Sequence, residues 1–448
     1  MTRFMEEFYR GIGNKAHGLA MQRDFRHMTL NRRQWLARAA ALAGGSLLWA
    51  PGGFGQATGH TDAYFAALNN LLKRDGPGRP VMLLDAARMR HNIDVLAQSV
   101  GPDKTYRVVV KSLPSVPLLE RVMVRAGTRS LMVFHQPFLN AVAEAFADAD
   151  VLLGKPMPVA AVRTFYREFM RQPGIAADAS RFDPGRQVQW LVDSHDRLLQ
   201  YQALARELGV AMRINVEIDV GLHRGGLPEP EALKPLLATI AGDPQHLAFA
   251  GFMGYEPQLT GLEATLDHPE VVKVLGHYRG FIDGARSAGI AMDALTLNGA
   301  GSHTLRIYER DRTMNDLAAG SGVVMPTDFD TFHLAANVPA VFIATPILKR
   351  YEGNPFTATP PPGMERVYYI YGGYWKAKMV APGQVAEPIY QSTNQSPIAT
   401  ASDVDLAVDD YMFLRPTQSE FVMLQFGDLL VVEDGRIAER WPVFHQTG

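Results

Sequence analysis

Four short stretches carry the residues that could do chemistry. In RVVVKSLPS (residues 107–115) Lys111 follows three valines directly. At the end of an apolar strand it would be desolvated, and a neutral amine there is a nucleophile that can form a Schiff base with an aldehyde cofactor or a carbonyl substrate. A lysine that merely ends a strand and reaches for water would read the same way. In INVEIDVGLHRGGL (214–227) Glu217 and Asp219 lie in or at the end of a strand, where charge is costly unless paired. Arg224, in a loop with Gly221, Gly225 and Gly226, is the obvious partner, either across a ligand or in a structural ion pair. In FAGFMGYEP (249–257) Tyr255 could orient a cofactor or move a proton, with Glu256 beside it. In LTLNGAGSHTL (295–305) Asn298, Gly299, Ala300, Gly301 and Ser302 are small and leave backbone N–H groups free, which suits one phosphate. The Gly-Lys-Ser/Thr ending of a nucleotide P-loop is missing.

These residues need a scaffold that brings strand ends together. Short apolar runs alternate with longer amphipathic ones from residue 80: Val81–Leu84, Tyr106–Val110, Ser130–Phe134, Val151–Leu153, Val188–Val192, Ala211–Ile218, Leu247–Met253 and Ala294–Leu297. Most lack strict alternation, as strands covered on both faces do. Eight strands separated by helices predict an α/β fold, a parallel (β/α)8 TIM barrel, whose chemistry sits at the C-terminal strand ends. An open doubly wound sheet is the structural alternative. After about residue 330 helical periods fade and short β-like pieces punctuated by Gly and Pro predict a smaller, mainly β domain. The expected division is therefore residues 1–57 as an N-terminal extension with signal peptide, 58–330 as the barrel, and 331–448 as the β domain.

The first part has a chemistry of its own. Arg32 and Arg33 precede Trp35, Leu36 and an Ala/Leu/Gly-rich run, with small residues near Ala57. This reads as a secretory signal and resembles the twin-arginine type, which implies export, folded, to the periplasm. The apolar run is short for a membrane span, and none is expected after cleavage.

Composition sets the outer bounds. Of 448 residues, 47% are hydrophobic and 20% charged, and the net charge is −2. That describes a globular chain without the basic field that recruits nucleic acid. No cysteine is present, which excludes disulfides, thiolate metal sites and a cysteine nucleophile.

A lysine, a phosphate turn, an arginine and a tyrosine on one barrel rim are the parts of a pyridoxal 5′-phosphate (PLP) site. In order and spacing the chain resembles the fold-type III PLP enzymes, and within them the D-threonine aldolase / D-serine dehydratase-like family with its alanine racemase-type barrel. VMLLDAARMRHNI (81–93) matches the entry strand and helix, RVVVKSLPS the lysine strand, EIDVGLHRGG the arginine loop, GFMGYE the tyrosine strand and NGAGS the phosphate turn; RPTQSE and GDLLVVEDGRIAERWPV match closing strands of the β domain. The resemblance implies Lys111 as the lysine that holds PLP, Arg224 and Tyr255 at its ring, and residues 298–302 around its phosphate. It also implies a homodimer acting on a small, D-configured β-hydroxy amino acid, most simply as an aldolase-type lyase. Dehydratase, racemase and non-catalytic PLP-binding readings stand beside it. So does a hydrolase using Glu217 with Asp219. Glu256 or His223 is the candidate catalytic base, and Tyr374 the second base a racemase would need. One departure is plain: relatives carry a divalent metal in the β domain on a His-x-Cys or His-x-Asp pair, whereas residues 418–436 here hold no histidine. That counts against the metal. His60-Thr-Asp62 has the spacing but reads as linker.

Overall fold

The structure, a computed structural model, describes residues 62–171, 181–383 and 388–445. The export signal read over residues 31–57, and His60, lie outside them. Asp62 caps the helix Ala63–Asp75, its side chain accepting from the Tyr64 N–H.

Strand β1 (Val81–Asp85) follows that helix. Eight strands then close a parallel barrel: β2 (Thr105–Val109), β3 (Ser130–Val133), β4 (Asp150–Leu153), β5 (Val188–Val192), β6 (Met212–Glu217), β7 (Leu247–Met253), β8 (Thr296–Gly299) and β9 (Asp316–Ala319). Helices such as Val116–Ala126, His195–Leu208 and Pro269–Ser287 separate them. The strands are buried along most of their length, as parallel strands under a helical coat must be.

The barrel is the one expected, but its membership differs at both ends. Val81–Leu84 is a strand that joins the other sheet, antiparallel to β10 (Val341–Tyr351) and parallel to β15 (Asp428–Glu433). Its alternation explains why: Val81 and Leu83 pack with Phe65, Leu72, Phe342 and Phe413, while Met82 and Leu84 face the main core. The eighth barrel strand is instead β9, Asp-Leu-Ala-Ala, which pairs β2 and β8. With two alanines and no β-branched residue it gives little strand signal.

The second sheet runs β12–β14–β10–β1–β15–β16, using β12 (Ala377–Ala381), β14 (Tyr411–Pro416) and β16 (Arg436–Pro442); β11 (Arg366–Tyr371) pairs β10 and β13 (Gln395–Thr400). The barrel interior holds a polar plug. Arg107 is 1% exposed and donates to Asp316 at 2.8 Å and to Asp150 at 2.7 Å. The plug decides where Asn298 points: its amide donates to Asp316 Oδ1 at 2.6 Å. No helix among the described residues is long and apolar enough to cross a membrane.

Candidate active site

Two adjoining cavities open at the C-terminal ends of the barrel strands. The inner one, about 90 Å³, is lined by Lys111, Tyr255, Ser302 and the Gly320–Ser321 backbone among others. The outer one, about 670 Å³, adds Phe138, Lys155, Asp193, Glu217 and Phe421. Lys111, Phe134, Gly154, Arg224 and Glu420 line both.

Lys111 stands in the short 3-10 turn Val110–Ser112 that ends β2. Its side chain is 40% exposed rather than desolvated as expected. Nζ pairs with Glu420 Oε1 at 2.8 Å and sits 4.7 Å from the centroid of the Phe134 ring. Phe134 is fixed in turn by Gly154, where a Cβ would lie 2.2 Å from the ring.

The turn expected to take a phosphate faces a second loop, which the sequence reading did not find. After β8, Ala300 adopts φ +69°. At Gly301 a Cβ would fall 2.9 Å from the Tyr255 ring. The loop after β9 faces it, and Ser302 ties the two: its hydroxyl oxygen accepts from the Gly320 N–H at 3.2 Å and the Gly322 N–H at 3.1 Å. At Gly320 a Cβ would lie 2.8 Å from Val109 and Ser112. Both loops thus approach as closely as bare backbone allows. Gly299 plays another part, since a Cβ there would strike Met314 Sδ at 2.1 Å. Asn298 lines the inner cavity, with its side chain committed to the barrel plug. Its carbonyl accepts from the Tyr278 hydroxyl at 2.9 Å.

Arg224 lies over Tyr255, with Cζ 5.1 Å from the ring centroid, and 3.7 Å from Glu217. Burial raises the Glu217 carboxyl above its ordinary range, and Arg224 opposes the rise. Burial likewise raises the Tyr255 phenol, and the nearby Glu256 adds to it. Glu217 and Asp219 serve different groups, so they make no carboxylate pair: both Asp219 oxygens go to the backbone and ring of His223 and to the Gly221 N–H.

Two expected bases are not brought to the cavities. The His223 side chain is 82% exposed, is tied to Asp219 at 2.7 Å and lines neither. Glu256 is 1% exposed and sits behind the phosphate turn, accepting from the Thr304 hydroxyl at 2.6 Å. Burial pushes its carboxyl up to about 7. It is a bracket for the turn. Tyr374 is 63% exposed and lines neither cavity. Sequence reasoning missed Glu420 and His303. His303 lines the inner cavity and stacks on Phe329 with centroids 4.2 Å apart, where burial lowers its basicity. It stood one residue past the residues 298–302 named there. Glu420 had no signal, because only the fold brings the β domain onto the lysine. Among the described residues no group of three or more His, Asp or Glu side chains is placed to hold a metal ion.

The comparisons agree with this architecture. Residues 84–325 match the family model "Alanine racemase, N-terminal domain". The chain belongs to that family, and so to the fold-type III group. A 3-hydroxy-D-aspartate aldolase of Paracoccus denitrificans (strain Pd 1222) is 21% identical over 274 residues, 58% of this chain and 67% of that protein. Among solved structures, the D-threonine aldolase of Filomicrobium marinum superposes with TM-score 0.64 at 16% identity, covering 82% of this chain and 96% of its own. An alanine racemase of Clostridium difficile 630 superposes with TM-score 0.60 at 16% identity, covering 81% and 98%. At these identities the superpositions establish the fold. The family match ends just past the last barrel strand, and the superpositions extend over the β domain as well.

Proposed function

We propose that this chain is a PLP-dependent lyase that cleaves small, D-configured β-hydroxy amino acids, an aldolase of the D-threonine type. The observation that carries it is the placement of Lys111: a primary amine at the barrel mouth, 2.8 Å from Glu420, with a two-loop backbone cup on one side and the Arg224–Tyr255 stack on the other. The residues fit the cofactor. The Ser302 hydroxyl, between the two small-residue loops, would hold its phosphate, Arg224 and Tyr255 would flank its ring, and Lys111 would hold its aldehyde carbon. When bound, PLP supplies an electron sink for the pair released at Cα.

The protein's own part is positioning and proton movement. Phe134 gives the Lys111 amine a ring face at the cavity wall, 4.7 Å from its centroid. Once released by substrate, Lys111 can carry protons at Cα. The outer cavity gives the substrate room and has Arg224 on its wall, a cation that would suit a substrate carboxylate. The named relatives include an aldolase and a racemase, so the bond broken at Cα is what must be tested.

Borohydride reduction of PLP-loaded protein, then peptide mapping, should give a pyridoxyl adduct on Lys111. Incubation with each enantiomer of threonine and serine should then release glycine and an aldehyde from the D forms. Oxo acid with ammonia would assign a dehydratase instead, inversion a racemase, and an adduct without turnover a binding protein. No adduct on Lys111 would sink the reading. We also take residues 31–57 as a twin-arginine export signal and the active form as a homodimer. Exchanging Arg32 and Arg33 for lysine should retain the protein in the cytoplasm, and light scattering should return twice the chain mass.

A further inference from the structure

The cleavage just proposed needs a base at the β-hydroxyl, and neither base expected from the sequence reaches the cavities. Glu256 is shut behind the phosphate turn and His223 points to solvent. Resting on the proposed function, we infer that Glu420 is that base, a catalytic carboxylate lent to the barrel by the β domain.

Three observations carry the inference. First, Glu420 lines both cavities and touches the amine that would hold the cofactor, with Oε1 at 2.8 Å from Lys111 Nζ. When Lys111 is engaged, the carboxylate loses its cation and faces the substrate space. Second, the segment that delivers it is fastened to the barrel. Arg415 donates to the Met325 and Pro326 carbonyls at 2.7 and 3.2 Å and to both Asp330 oxygens at 2.9 and 2.6 Å. The Asp328 N–H donates to the Thr417 carbonyl at 3.2 Å, Gln418 donates to Asp328 at 2.8 Å, and Ser419 meets Ser321 of the phosphate loop at 3.0 Å. A catalytic group needs such fixed placement. Third, the remaining carboxylates of the outer cavity are otherwise engaged, Glu217 with Arg224 and Asp193 with the Ser194 hydroxyl.

The step balances. With the substrate held in the site, Glu420 takes the β-hydroxyl proton. The oxygen becomes a carbonyl and the Cα–Cβ bond breaks, its electron pair going to the sink that bound PLP would supply. The aldehyde leaves, and the Lys111 ammonium protonates Cα. Glu420 then returns its proton to Lys111 across the 2.8 Å gap, restoring the ammonium that protonated Cα, and glycine departs.

The test separates the two bonds at Cα. Exchange of the glycine Cα proton into deuterated water needs Lys111 but no base at the β position. In Glu420→Gln, aldehyde release from D-threonine should fall by about a hundredfold or more, whereas glycine exchange should stay within about threefold. The Lys111 adduct and the dissociation constant of PLP should also persist, and Glu420→Asp should recover part of the cleavage. Cleavage at the wild-type rate in Glu420→Gln would overturn the inference. So would joint loss of exchange and cleavage with the adduct intact, because Glu420 would then act through Lys111. Absence of the adduct in the wild type would instead overturn the proposed function beneath it.

Discussion

Glu256 pays for its position behind the phosphate turn with its charge. It is buried, and burial pushes its carboxyl up to about 7, against an unfolded value near 4.5. The unfolded chain therefore loses this proton at lower pH than the folded one. The stability it contributes is fully present below about pH 4.5 and is lost as pH rises towards 7, by about 3 kcal/mol at most. Glu256→Gln keeps an acceptor for the Thr304 hydroxyl and removes the titration. Urea midpoints of the variant should change less between pH 5 and pH 8 than those of the parent, and its stability relative to the parent should rise with pH. Equal slopes for both proteins would show that Glu256 ionises in the fold as it does in water. The same residue shows a limit of reading from sequence. Glu256 follows Tyr255 and was expected at the same rim, but consecutive residues leaving a strand point opposite ways. Tyr255 faces the cavity and Glu256 faces Thr304.

At the scale of elements, much of the barrel was legible because a parallel strand under helices is a continuous apolar run, and β7 and β5 fall where those runs lie. Lys111, Arg224 and Tyr255 line one cavity because each follows the C-terminal end of a barrel strand, where polar residues after apolar runs stand out in the sequence. What stayed hidden was pairing. β1 is as good a strand as any in the barrel, and only its partners β10 and β15 place it elsewhere. β9 is strand because β2 and β8 leave a gap that must be closed. Glu420 belongs with these, since its role comes from the segment 415–419 docking on residues 325–330. Arg415 is the centre of that dock and is 3% exposed. Arg415→Ala should cost about 3 kcal/mol, because it strips charged hydrogen bonds from two carbonyls and a carboxylate. It should also lower aldehyde release more than PLP affinity, since the cup of Ser302 and Gly320 remains while Glu420 loses its anchor. Arg415→Lys should recover little, because an ammonium cannot span the fork. Chemical denaturation with a PLP titration would check both parts.

At the scale of the whole molecule, the chain crosses between its two cores before it builds either. The helix Ala63–Asp75 and β1 form part of the β domain, and only then does the chain enter the barrel, where it stays until β9. β1 is an interior strand, hydrogen-bonded to β10 on one side and β15 on the other. Without it the outer pair β15–β16 would have no link to the rest of the sheet. Phe65, Leu68, Leu71 and Leu72 of the preceding helix cover the face that Phe342, Phe413 and Leu430 present. A protein shortened to begin at Ala86 would keep all eight barrel strands and lose the middle of the other sheet. It should therefore expose β10 and β15 as unpaired edges and associate through them. With the base delivered by the β domain, the shortened protein should also retain PLP binding while its turnover of substrate falls. Limited proteolysis should find cuts confined to residues 341–445 with the barrel intact. A shortened protein that resists protease there and cleaves D-threonine at the parental rate would show that β1 is dispensable, and that Glu420 reaches Lys111 without the sheet behind it.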